Sequence, residues 1–344
     1  MLKIAKENLN SVYAKINEAY GLYIPVKKAG EVNYAVWDEG KEVSLETLKT
    51  VKSPKSMFFP QTENMMKFKT EGKNLEVIDV RDEKSPFVLF GVKACDYKAI
   101  EVLDKVFLAD PVDSFYQVRR NATTIVTLAC SKPEESCFCK AFGIDATAPQ
   151  GDVTTWLDEN YLYWQANTEK GDQLTLVVSM AGLFDEGGEA EVKAQQEKTE
   201  KVIDALPFSH LDLSRFKPEN LNELFEDSAW GEMSEACLGC GTCTFVCPTC
   251  QCFDIRDFKT NEGVIRYRCW DSCMYSDFTL MAHGNSRTTQ MQRFRQRFMH
   301  KLVYYPSQND GLYSCVGCGR CVNKCPQKLN IVKVIKKLGG KNND

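Results

Sequence analysis

Two short segments of the chain repeat the same cysteine spacing. Each contains three cysteines separated by two residues, a fourth cysteine after three more residues, and then a proline. The segments are CLGCGTCTFVCP (237–248) and CVGCGRCVNKCP (315–326). Thiolates are soft ligands for iron–sulfur clusters and zinc, and the intervening glycines let the backbone bend around a bulky metal group. The spacing therefore predicts metal centres.

A triple CxxCxxC run that ends in CP is the ligand pattern of bacterial ferredoxins with two [4Fe–4S] clusters, where each fourth cysteine ligates the other cluster. We therefore predict two clusters. The first is assigned Cys237, Cys240, Cys243 and Cys325, and the second Cys315, Cys318, Cys321 and Cys247. Structural zinc is the alternative, but zinc sites use separate CxxC pairs.

The two runs are separated by a long insert, residues 248–314, that a small ferredoxin lacks. Apolar residues at helical spacing predict a long helix there: Met291, Phe294, Phe298 and Leu302. The same segment carries five cations, Arg287, Arg293, Arg295, Arg297 and Lys301. They either form a solvated face or face the anionic clusters or an acidic partner. This arrangement is closer to the helical ferredoxin domains of respiratory complexes, so we predict a mainly helical dicluster ferredoxin-like domain.

Four further cysteines precede a long cysteine-free stretch. They are Cys95, Cys130, Cys137 and Cys139. Cys95 and Cys130 each follow a predicted strand, and the carboxyl ends of parallel strands open onto one crevice. We predict that these four sulfurs converge there on a third metal site, a third [4Fe–4S] cluster. Zinc, or four unrelated core cysteines, are the alternatives.

The last four cysteines have no assignment from spacing. They are Cys250, Cys252, Cys269 and Cys273. If they ligate a fourth cluster, the sixteen cysteines of the chain would supply four ligands to each of four clusters. Packing in the second domain is the plainer interpretation, and the sequence leaves both open.

The elements that must position these cysteines suggest two domains. We predict that residues 1–225 form an α/β domain with a partly parallel sheet. Residues 226–344 are predicted to form the dicluster domain. An opening helix is predicted from apolar spacing between Leu9 and Tyr20, and a second helix over 96–107. Four apolar runs predict buried strands: 75–80, 87–92, 123–128 and 174–180. A short helix is expected after Pro218 in the connector.

Composition limits the class of protein. The chain has 344 residues, 43% hydrophobic and 26% charged, with a formal net charge of −4. No run approaches the ~18 apolar residues of a membrane helix, and the start lacks the features of a secretory signal. We expect a cytoplasmic protein without membrane insertion, and no nucleic-acid partner. None of the three histidines lies in a metal or triad motif, and no phosphate-binding glycine motif is present. We therefore predict no catalytic residue.

Several motifs in the same order resemble one family. They are GVKACDYKAIEVLDKVF, LACSKPEESCFC, CPTCQCFDIRDF, WDSCMYSDFTLMAHGNSR and YSCVGCGRCVNKCP. From about residue 85 to the C-terminus the chain resembles the beta subunit of cytoplasmic sulfhydrogenases (NAD(P)-linked hydrogenases) and the related iron–sulfur subunit of anaerobic sulfite reductase. The resemblance implies an electron-transfer subunit that links a flavin/NAD(P)H-binding subunit to a catalytic metal subunit. It also implies that Cys95, Cys130, Cys137 and Cys139 ligate an additional cluster.

Two other functions stay open from the sequence. A stand-alone Fe–S reductase would bind a substrate or flavin in the first domain, and a zinc-stapled scaffold would have no redox role. A hydride carries two electrons and each cluster passes one, so a nicotinamide donor requires a flavin on a partner. The electron-transfer interpretation therefore fits the residues best.

Overall fold

The computed structural model describes residues 1–81 and 84–339. The strands are β1 Leu2–Ala5, β2 Gly21–Lys28, β3 Glu31–Val36, β4 Thr62–Glu71, β5 Asn74–Asp79, β6 Phe87–Val92, β7 Thr123–Leu128, β8 Val153–Leu157, β9 Tyr161–Ala166, β10 Asp185–Glu186, β11 Phe253–Thr260, β12 Gly263–Trp270, β13 Leu280–Met281 and β14 Gly284–Asn285. The α-helices are α1 Leu9–Ala19, α2 Ala94–Phe107, α3 Ser114–Ala122, α4 Glu169–Ser179, α5 Glu189–Asp204, α6 Leu221–Glu226, α7 Ala229–Ser234, α8 Thr242–Phe245, α9 Gln290–Met299, α10 Tyr305–Gln308, α11 Arg320–Lys324 and α12 Ile331–Leu338. Residues 340–344, the end of the predicted second domain, lie outside this description.

An eight-stranded mixed sheet forms the centre of the N-terminal region, in the order β10-β1-β9-β8-β7-β6-β2-β3. The four central strands, β8, β7, β6 and β2, are parallel to their neighbours within this group, and the flanking pairs are antiparallel. The prediction of a partly parallel sheet is confirmed.

Helices cover both faces of this sheet. Alternate residues of a strand point to opposite faces. Val88 and Phe90 of β6 pack in the same buried cluster as residues of α1 and α4. Leu89, the residue between them, packs in a second cluster with residues of α2. The predicted opening helix, the helix after β6 and the buried strands β6 and β7 are all confirmed.

The strand predicted over 174–180 is wrong, because these residues form most of α4. Leu174 and Val178 are buried one helical turn apart while Leu176 is 66% exposed, which is the pattern of an amphipathic helix. The Thr168 hydroxyl accepts a hydrogen bond from the Gly171 N–H and caps the helix start. The strand predicted over 75–80 exists as β5, but it is largely exposed rather than buried.

A second, four-stranded antiparallel sheet joins the two halves of the chain in the order β11-β12-β4-β5. The buried Arg268 side chain of β12 binds Glu63 of β4 and Asp113, the cap of α3. Because of this hairpin, the dicluster region is mixed rather than mainly helical, which corrects the prediction for residues 226–344. The boundary after residue 225 stays a prediction, and that residue lies inside α6.

The helix predicted within the insert is present as α9, which continues through a π-helical turn, His300–Tyr304, into α10. Pro306 in α10 has no N–H to donate to residue 302, and its ring crowds that carbonyl, which accounts for the widened turn before it. Thr289 and Gln292 form a capping box at the start of α9. The helix predicted after Pro218 is also present as a 3-10 turn and α6. In residues 1–81 and 84–339, no helix has the length and apolar character needed to cross a membrane.

Candidate metal centres

The four cysteines assigned to the first cluster line a single cavity. It holds about 430 Å³ of space, its opening included, and Cys237, Cys240, Cys243 and Cys325 all line its wall. Apolar side chains close the cavity, among them Met274, Phe294 and Phe298. Two segments far apart in the sequence thus bring their thiols together as the ferredoxin pattern requires.

Hydrogen-bond donors already surround these thiols. The Gln290 amide donates to Cys237 Sγ at 3.4 Å, and the Leu329 N–H donates to Cys325 Sγ at 3.2 Å. The hydroxyl of Thr242 lies 3.3 Å from Cys240 Sγ, and its hydrogen bond lowers the pKa of that thiol. Such donors favour the thiolate, which is the form that binds metal.

The four cysteines of the second assignment also lie together. The thiols of Cys315, Cys318 and Cys321 each interact electrostatically with Cys247. Burial raises the pKa of Cys315 to about 12, and it also raises the pKa of Cys321. Thiolates at such a site need a positive charge beside them, and iron ions would supply it.

The four cysteines of the third assignment line another cavity, of about 440 Å³ with its opening included. Cys95 lies in the first turn of α2, after β6, and Cys130 follows β7; the two strands are parallel neighbours. Cys137 lies in the loop that follows, and Cys139 begins a 3-10 turn, Cys139–Phe142. The expected convergence at the strand ends is therefore present. Burial raises the pKa of Cys139 to about 12.

The second and third groups share a wall. Cys318, assigned to the second group, also lines the cavity of the third. The Phe138 N–H donates to the Gly317 carbonyl at 2.9 Å, so the two ligand loops are hydrogen-bonded to each other. Arg320 and Asp96 form a bidentate ion pair at 2.6 and 2.7 Å beside this contact, and both are almost fully buried.

Buried cations accompany the cysteine groups. Of the five cations predicted on the insert, Arg297 and Lys301 are buried, 3% and 4% exposed, and both interact with Cys247. Burial opposes the charge of Lys301, but Cys247 and Cys250 outweigh it and raise its pKa. Arg295 instead lies over the Phe225 ring, 3.5 Å from its centroid. Cations therefore face the cysteines at two of the five positions.

Sequence reasoning missed Lys55 and Lys93, two further buried lysines beside the cysteines. Lys93 interacts with Cys130 and Cys95, and burial lowers its pKa. It stands two residues before Cys95, so its neighbourhood could have been noticed. Lys55 donates to the carbonyls of Cys247 and Cys250 at 3.0 and 2.9 Å, across 192 and 195 residues. No local pattern could have predicted that contact.

The four unassigned cysteines separate into three and one. Cys250, Cys252 and Cys273 lie close to one another next to Cys247. Cys269, on β12, instead interacts with Arg256, Asp254 and Asp271. Within the described residues, no three or more His, Cys, Asp or Glu side chains form a site for a single metal ion.

The paired cysteine runs and their shared cavities define a dicluster iron–sulfur protein. Residues 236–329 match the model of a 4Fe-4S dicluster domain, which supports two [4Fe–4S] clusters. The chain is 33% identical over 341 residues to sulfhydrogenase 2 subunit beta of Pyrococcus furiosus, covering 98% of this chain and 98% of that protein. The chain belongs to the sulfhydrogenase beta-subunit family. The family resemblance noted in the sequence is confirmed.

Proposed function

We propose that this chain is the iron–sulfur electron-transfer subunit of a multisubunit oxidoreductase. It relays single electrons from a flavin/NAD(P)H-binding subunit to a catalytic metal subunit of the hydrogenase or sulfite-reductase type, or in the reverse direction. The similarity over 98% of the chain to a hydrogenase beta subunit supports this role. Bound [4Fe–4S] clusters supply one-electron chemistry. A cytoplasmic location stays a prediction from the sequence.

The ligand sets proposed for the three clusters are those predicted from the sequence. The first uses Cys237, Cys240, Cys243 and Cys325. The second uses Cys315, Cys318, Cys321 and Cys247, and the third uses Cys95, Cys130, Cys137 and Cys139. The two cavities, each lined by four of these cysteines, support the first and third sets.

The spatial order of the three cysteine groups is the observation that supports an electron relay. Cys318 lines the third cavity while belonging to the second group, and Cys243 of the first group interacts with Cys247 of the second. The three groups therefore lie in series, with the second in the middle. At the first group, Cys240 is exposed and the neighbouring Leu238 is 64% exposed. We assign contact with a redox partner to this end.

Iron content tests the third cluster. Cys95→Ala should lose about four irons per chain from anaerobically purified protein, because alanine leaves one iron of this cube without any ligand. The matched control is Cys269→Ala, which removes a thiol outside all three groups and should keep every iron. Unchanged iron in the Cys95 variant would refute the third cluster.

A surface variant tests the partner contact. Leu238→Glu should lower the rate of electron transfer per bound iron in the assembled complex, because it places a charge beside the exposed Cys240. Iron is counted in the same sample because Leu238 also lines the first cavity. Leu176→Glu on α4 is the control, since Leu176 is equally exposed, at 66%, on another element. Equal rates in both variants would place the partner elsewhere.

A further inference from the structure

Three cysteines outside the three proposed clusters form a group of their own. Cys250 follows the first run, and its thiol lies next to that of Cys247. Cys252 precedes β11 and Cys273 follows β12, and their thiols are neighbours. The Asp271 N–H donates to the Cys252 carbonyl at 3.0 Å, which closes the open end of the β11–β12 hairpin. The hairpin therefore serves to bring Cys273 back to the CxC segment.

The loop that carries Cys250 is held firmly in place. Lys55 binds the carbonyls of Cys247 and Cys250, and its ammonium lies 3.9 Å from the centre of the Trp270 ring. Thr249, 1% exposed, donates to the Ser314 carbonyl at 2.7 Å. The backbone that carries Cys250 is thus held by contacts from three distant segments of the chain, which is the kind of preorganisation that a metal site needs.

Buried positive charge surrounds this group without carboxylate partners. In the described part of the chain, Lys55, Arg297 and Lys301 contact carbonyl, hydroxyl, thiol and ring groups. Each is 4% exposed or less. A buried charge is costly unless it is paired. Arg297 donates directly to Cys250 Sγ at 3.3 Å. Cys247 of the second group lies beside all three cations as well, so thiolates of both groups would offset these charges.

Unpaired polar atoms lie at the same place. The side-chain oxygen of Gln251, the residue between Cys250 and Cys252, is buried and has no hydrogen-bond partner among the described residues. The same holds for Arg297 Nε and for Ser314 Oγ. Buried polar atoms in native proteins are nearly always paired. Gln251 and Arg297 lie beside Cys250, so their unpaired atoms indicate a polar group there, whereas Ser314 adjoins Cys315 of the second group.

We infer that Cys250, Cys252 and Cys273 hold a fourth iron–sulfur cluster, beside the second. Three thiolates suit either a [3Fe–4S] cluster or a [4Fe–4S] cluster whose fourth iron takes a non-cysteine ligand. This group lies beside Cys247, and none of its three cysteines lines the third cavity.

The test counts iron, acid-labile sulfide and zinc in the anaerobically purified full chain. Three clusters give about twelve irons, and the fourth raises the count to about fifteen or sixteen. Cys250→Ala, Cys252→Ala and Cys273→Ala should each lose three or four irons, and the Cys252/Cys273 double variant should lose no more than either single one. Cys269→Ala, on the same hairpin, should lose none.

A wild-type count near twelve with unchanged cysteine variants overturns the fourth cluster, and so does zinc in place of the extra iron. A count of about fifteen or sixteen supports the fourth cluster without any variant. A count near twelve fits either the third or the fourth cluster beside the two of the dicluster domain, and the cysteine variants then decide: iron lost with Cys252→Ala supports the fourth cluster, and iron lost only with Cys95→Ala overturns it. If the wild-type chain holds about twelve irons and Cys95→Ala loses about four of them, the fourth cluster is refuted and the proposed three-cluster relay is supported. An oxidised-state electron paramagnetic resonance signal lost with Cys252→Ala identifies the three-iron form.

Discussion

Gly239 and Gly317 occupy the same position in the two cysteine runs, and comparing alanine at each gives the sharpest test of how the ligand loops fit together. Both have positive φ, +63° and +59°. They differ in what a methyl group would meet. At Gly317 a Cβ would lie 2.3 Å from the Phe138 carbonyl oxygen and 2.5 Å from the Cys139 nitrogen, which are backbone atoms of the third ligand loop. At Gly239 it would lie 3.0 Å from the flexible side-chain oxygen of Gln290.

The expected magnitudes follow from this difference. Both alanines must adopt a left-handed conformation, at a cost of about 1–2 kcal/mol. Gln290 can move, so Gly239→Ala should cost little beyond that. At Gly317 the two loops must separate, and overpacking of this kind adds roughly 1–3 kcal/mol. Gly317→Ala should therefore cost about 2–5 kcal/mol in all.

The assay is urea unfolding of the anaerobic holoprotein at matched incubation times, followed by circular dichroism and by cluster absorbance. Gly317→Ala should unfold at clearly lower urea than Gly239→Ala. It should also lose iron from the third site first, because the displaced Phe138–Cys139 backbone carries two of its thiols. Equal midpoints with equal iron content would refute the direct packing of the second loop on the third.

Three further predictions concern buried charges. Asp96→Asn should lower the free energy of unfolding by about 3–5 kcal/mol, because it leaves Arg320 buried without its carboxylate. The control is Glu232→Gln, which removes an exposed ion pair with Lys337 and should lower it by less than about 1 kcal/mol in the same urea assay. Lys301→Met should lower the reduction potential of the second cluster by roughly tens of millivolts, because a buried cation stabilises the more negative reduced form. Redox titration measures this potential, with Lys333→Met at an exposed position as the control. Equal potentials in the two variants would contradict the prediction. Burial and nearby cations lower the pKa of His300 from 6.5 to about 4, so the unfolded chain binds more protons between these values, and stability should fall by up to about 3 kcal/mol as pH decreases through that window. A His300→Gln variant with the same pH dependence of unfolding as the wild type would show that His300 does not contribute.

The parts of the fold that follow from local pattern could be predicted. The apolar spacing of α1 and the continuous apolar runs of β6 and β7 report burial directly, because each element lies against the core. The run 174–180 misled because a short apolar stretch fits a buried strand as well as a helix face. The exposed Leu176 is the residue that distinguishes the two, and its exposure cannot be seen in the sequence.

The candidate sites likewise include features that a local sequence pattern predicts and features that depend on long-range packing. Ligand spacing within one run reflects local backbone geometry, and the known ferredoxin pattern supplies the exchange of the fourth cysteines between the runs, so the sequence could predict both sets. The closeness of Cys250, Cys252 and Cys273 depends on the pairing of β11 with β12, and the contacts of Lys55 depend on tertiary packing. Such long-range contacts have no periodicity that a sequence can display.

The four-stranded sheet has a consequence for how this protein can be handled and how it could have been assembled. Strands β4 and β5 belong to the first half of the chain, and β11 and β12 lie between the two cysteine runs. A fragment starting at residue 226 would expose the edge of β12 that normally pairs with β4, and an unpaired edge invites aggregation. A dicluster region that is cloned on its own or fused to another gene would therefore have to include the β4–β5 hairpin.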